Sequence, residues 1–167
     1  MVSNTLDMVS RSCVALACVI LVACGSSGRR PITELVEPVE VKTGWFDAGV
    51  ENGMNKLVPT VMLTLKNVST EPVANVQLNA VIRRAGETEE WGGAFMKVIG
   101  TEGIAPAGTT KPIVLRSTLG YTSIEPRAQM LKNRQFVDTQ VQVFAKHGGN
   151  QWVKLGEWPI ARELLTQ

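Results

Sequence analysis

Beyond its first 24 residues the chain has no cysteine. All three, Cys13, Cys18 and Cys24, lie in or at the end of an N-terminal apolar stretch, so the rest can form no internal disulfide, thiolate metal site or cysteine nucleophile. Histidine is nearly as scarce. His147 is the only one, and as a general base it would need a nucleophile and an orienting carboxylate, neither of which the sequence marks. Beside Gly148 and Gly149 it reads as an exposed turn residue. A dominant charge is also missing: 17 Lys and Arg face 15 Asp and Glu, for a net charge of +2. No long-range positive field is available for a run of phosphates, which argues against nucleic acid as a partner. Long apolar runs are absent too. From Cys13 to Ala23 there are 11 apolar residues, which as a helix reach about 16 Å against a hydrocarbon core of about 30 Å.

What is present begins with that same short run. It has the length of a signal peptide's apolar region, and Arg11 with the amino terminus supplies the positive side. Leu21, Val22, Ala23 and Cys24 then resemble the bacterial lipobox, Leu-(Ala/Val/Ser/Thr)-(Gly/Ala)-Cys. The resemblance implies signal cleavage between Ala23 and Cys24, diacylglycerol on the Cys24 thiol and a further acyl chain on the new amino group. Each buried methylene adds roughly 0.8 kcal/mol, so two or three chains hold a protein at a bilayer almost permanently. Residue 25 is Gly rather than the Asp that marks inner-membrane retention in enteric bacteria. The expected address is therefore the cell envelope, on the outer membrane facing the periplasm where there is one. The organisation expected is a signal peptide over 1–23, a flexible Gly/Ser/Arg tether over 24–35 and one folded domain over 36–167.

Within that domain the apolar residues recur with period two. Val39 and Val41 open a short first strand running towards Trp45. Pro59 predicts an edge or strand-start position, and Val61, Leu63 and Leu65 alternate beyond it. Val76, Leu78, Ala80 and Ile82 form the clearest buried face, and the turn residues Asn67 to Pro72 separate these runs. Trp91 to Ile99 resumes extended structure, with Gly92-Gly93 suggesting a bulge. Ile113 and Leu115 mark another strand, Pro126 the start of a short helix, Val137 to Ala145 a long strand, and Trp152 to Trp158 its hairpin partner. Ala161 to Leu165 suggests a closing helical turn. About seven strands with this period predict an all-β fold, an antiparallel sandwich with one short helix.

The stretch from Leu63 to Val81, with Pro106 to Thr109 and Ile113 to Leu115, resembles the immunoglobulin-like modules of bacterial lipoproteins, notably the FxLYD type. That resemblance implies an immunoglobulin-like β-sandwich. No disulfide pins the sheets, so burial of the Val, Ile and Leu faces must stabilise them, at about 25 cal/mol per Å².

Few residues suggest chemistry. Glu87, Glu89 and Glu90 share one turn and offer hard oxygens, but without the alternation of a calcium loop they read as a solvated turn. Asn67-Val68-Ser69 matches a glycosylation sequon and reads as turn chemistry. Arg127, Lys132 and Arg134, with Gln129, read as a solvated helix face. The best leads for recognition are the four tryptophans, Trp45, Trp91, Trp152 and Trp158, whose rings either fill the core or stack on a sugar or an apolar anchor of a protein partner. The expectation is a non-enzymatic, lipid-anchored interaction or assembly module that binds an envelope protein and uses no metal or cofactor beyond the lipid on Cys24. The alternative is a module binding envelope glycans or small ligands through exposed tryptophans.

Overall fold

A computed structural model describes residues 30–166. Eight strands form two four-stranded antiparallel sheets packed face to face, an all-β sandwich. Cys24, Ala23 and the rest of the expected leader lie outside the described residues. A 3-10 turn at Ile32–Glu34 precedes β1 (Val36–Glu51), β2 (Met54–Asn67), β3 (Val76–Arg84), β4 (Gly92–Ile99), β5 (Ile113–Arg116) and β6 (Tyr121–Ser123). Then come a single helical turn α1 (Arg127–Met130), β7 (Thr139–His147) and β8 (Val153–Pro159). One sheet runs β1-β2-β5, with β6 also pairing with β2, and the other runs β4-β3-β7-β8.

The alternation seen in the sequence sets the core. Val61, Leu63 and Leu65 of β2 meet Val76, Leu78, Ala80 and Ile82 of β3 and Val141, Val143 and Ala145 of β7, all buried. Asn67 to Pro72 is a crossover between sheets. The Asn67 side chain accepts from the Ser69 amide and hydroxyl and donates to the Glu71 and Ile104 carbonyls, so this buried amide organises the corner.

Several local expectations are corrected by tertiary pairing. Ile32 and Leu35, inside the expected 24–35 tether, are buried in the core. The first strand is 16 residues long rather than short. Pro59 sits mid-strand: its partner Trp45 turns its own backbone groups away, towards Glu163 and Leu165. The missing N–H of Pro59 therefore faces the gap between β5 and β6, where its carbonyl accepts from the Ser117 amide at 3.0 Å. The register runs unbroken through Gly92 and Gly93, and the shift falls beside Ile99, leaving Val98 as the extra residue. Those glycines answer close approach instead: a β-carbon on Gly92 would stand 2.4 Å from Ser117 Oγ, and one on Gly93 2.6 Å from the Ala80 carbonyl oxygen. Ala161 to Leu165 is not helical. It runs beside β1, where Trp45 N–H donates to the Glu163 carbonyl at 2.8 Å and Leu165 N–H donates to the Trp45 carbonyl at 2.9 Å.

Candidate functional site

The tryptophans part company. Trp45 is 1% exposed and lies within an aromatic group closing one end of the sandwich, 4.6 Å from Phe136 and 6.3 Å from Trp91 between ring centres. It is core, so the expectation that it contacts a ligand or partner is corrected. Trp91 is half-buried against the same core, with the Arg84 guanidinium 5.1 Å from its ring centre. Trp158 is half-buried on β8, folded over Gly156, where a β-carbon would stand 2.2 Å from its ring. Only Trp152, 38% exposed, presents its ring to solvent, and its companion is Phe95 of β4 rather than another tryptophan. Those two rings meet edge-to-face at 6.1 Å and 75°, with Lys146 Nζ 5.3 Å from the Trp152 ring centre.

His147 ends β7, half-buried and opposite Val76, and makes no side-chain hydrogen bond among the described residues. Arg127 is tied to Asp47, whose carboxyl is held below its ordinary range chiefly by that hydrogen bond, so the expected basic face is already partly neutralised. Glu87 lies 3.9 Å from Arg84. No group of three or more His, Asp or Glu residues placed to hold a metal occurs among the described residues. No helix among them is long and apolar enough to cross a membrane.

Phe95 leads to a feature that residue spacing does not mark. Among the described residues, strand β4 pairs with β3 on one side only, and β5 pairs with β2 on one side only. These two half-paired strands lie along the same flank of the sandwich. They close together where Gly92 meets Ser117. Further along they part around a groove lined by Met96, Val98, Ile104, Pro112 and Val114. Phe95 on the outer face is 63% exposed. Met96 stands opposite Leu78 and shares its inward face, yet remains 40% exposed because β5 does not cover it. Apolar surface is therefore open on both faces of one strand, next to unpaired backbone donors and acceptors.

The other strand edges are guarded. β8 carries Lys154, Glu157 and Pro159, and a register shift leaves Leu155 as an extra residue. β1 has Pro38 and two register shifts, and residues 163–165 cover its middle. β5 has four residues and β6 three. Short strands, prolines, charges and bulges are the usual means of blocking edge-to-edge pairing. Ser117 to Leu119 border β4 at Gly92, and from there to Lys97 the strand itself carries only Lys97 by way of protection. The sequence signal was available in Phe95-Met96, two large apolar residues on opposite faces of one short strand without proline, but edge position cannot be read from alternation. No protein-family model matches the chain, and no curated protein matches it either.

Proposed function

We propose that this protein is a lipid-anchored, non-enzymatic lipoprotein of the cell envelope that acts as a protein interaction or assembly module, with β4 as its docking edge. The unguarded β4 edge, with Phe95 and Met96 exposed on its two faces, carries the reading. An extended segment added there would satisfy the free backbone groups, while its side chains would cover apolar surface on both faces. The anchor rests on the Leu21-Val22-Ala23-Cys24 pattern, and the partner is accordingly another envelope protein. A glycan platform draws less support, because Trp152 and Phe95 meet edge-to-face rather than coplanar and Trp45 is buried.

Anchor and edge are tested separately. Cys24→Ser should move the protein from the membrane to the soluble fraction, and intact mass should show acyl groups on a chain starting at Cys24. A photo-crosslinking residue at position 95 should give discrete protein adducts in living cells, whereas one at position 154 on β8 should not. Equal labelling from both positions would remove the case for β4.

A further inference from the structure

We infer that the segment added to β4 is the β4 strand of a second copy of this chain, paired antiparallel about a two-fold axis through Phe95. This rests on the reading of β4 as the docking edge and names its occupant. Residues facing one another across such an axis have numbers summing to 190, so Phe95 meets Phe95, Met96 meets Ala94 and Lys97 meets Gly93. The pairing uses the regular stretch of the strand, bounded by the register shift at Val98.

Charge selects this register. The Glu90 carboxylate folds over Gly93, its Oε1 3.1 Å from where a β-carbon on Gly93 would stand. A Lys97 opposite Gly93 is thereby brought to Glu90 of the second copy, and the symmetry repeats the contact. Neither Lys97 nor Glu90 has an ion-pair partner among the described residues. Shifting the axis to Lys97 would set the two Lys97 side chains directly opposite each other, an unfavourable like-charge pair. Shifting it to Ala94 would place Lys97 opposite Trp91 and away from Glu90.

Both faces benefit in the chosen register. On the outer face, two exposed phenylalanines meet. On the inner face, Met96, left open beside β5, is covered by Ala94 and Met96 of the second copy. The self-complementary geometry is that of an isologous interface, and it joins two four-stranded sheets into one of eight strands.

The test uses the full chain in isolated membranes. Directly opposite antiparallel residues have α-carbons about 4.5 to 5.5 Å apart, within the reach of a disulfide. Phe95→Cys should therefore give a reducible covalent dimer, and Lys154→Cys none. In detergent extract, Lys97→Glu and Glu90→Lys should each raise the dimer dissociation constant about tenfold. The double variant should restore it, which neither misfolding nor a non-specific contact would do. Absence of the covalent dimer, or failure of the double variant to rescue, overturns the second copy as occupant. If the dimer is absent but Met96→Glu still abolishes the adducts that the crosslinker at position 95 makes with other proteins, β4 keeps its docking role and only the self-pairing falls. If Met96→Glu changes neither, both fall.

Discussion

Strands β4 and β8 terminate the same sheet at opposite sides, and the chain treats them differently. On β8, Lys154 and Glu157 form an ion pair at 3.0 Å, Leu155 is an extra residue and Pro159 ends the strand. On β4 the regular stretch displays Phe95 and Met96 and has one charge, Lys97. The third comparison is β1, an inherently long edge whose middle is sealed by the chain's own C-terminal segment. Among the described residues β4 is the edge with the fewest of these guards, and an exposed strand costs a protein solubility unless something covers it.

The contrast can be broken most severely at β8. Gly156→Val would place a side chain where the Trp158 indole lies, 2.2 Å from a β-carbon at that position. Expelling that ring from its seat against the core should cost about 2 to 3 kcal/mol, read as a fall in the urea midpoint. Next in size is Gly44→Ala on β1, whose new methyl would stand 2.9 Å from the Glu163 carbonyl and 2.8 Å from Leu165. The expected loss is about 1 to 2 kcal/mol. Its distinguishing mark is faster hydrogen exchange at the Trp45 amide, which the C-terminal segment otherwise holds.

Exchanging the guards between β4 and β8 should change association with little change in stability. Met96→Glu on β4 replaces a partly exposed side chain and should alter unfolding free energy by less than about 1 kcal/mol, while eliminating association at that edge. In the reverse exchange, Lys154→Val with Glu157→Val should make β8 sticky, seen as concentration-dependent light scattering. The smallest effect concerns pH. Arg162 holds the C-terminal segment by donating to Asp138 at 2.6 Å and to the Phe136 carbonyl at 2.9 Å. The guanidinium's hydrogen bond holds the Asp138 carboxyl below its ordinary range, with burial opposing. A depressed carboxylate contributes stability that is complete above its unfolded-state value, near pH 4, and lost as pH falls through the lower folded value. Protection of the Trp45 amide should thus be flat above about pH 5 and weaken in acid, and Arg162→Gln should remove that acid-dependent component.

Much of the fold was legible because alternation reports burial directly. Val76, Leu78, Ala80 and Ile82 were read as one face and are fully buried, and Pro126 does precede a helical turn. The failures share a cause. The place of Pro59 mid-strand depends on a gap between β5 and β6, and the extended course of Ala161 to Leu165 on a partner, Trp45, far away in the chain. The candidate site was less legible still. Tryptophan content points to Trp45, Trp91, Trp152 and Trp158 alike, of which the core absorbs Trp45, whereas the spacing of Phe95 and Met96 does not say that they stand at an edge.

The all-β class, the strand faces, the turns and the exclusion of thiol chemistry from the domain follow from residue type and short-range spacing. Which strand becomes an edge, which edge is covered and which aromatic rings meet solvent are set by the packed fold. Those outcomes depend on hydrogen bonds and burial between segments distant in the chain, and the energy of a backbone group left unpaired is set by what the rest of the fold brings beside it.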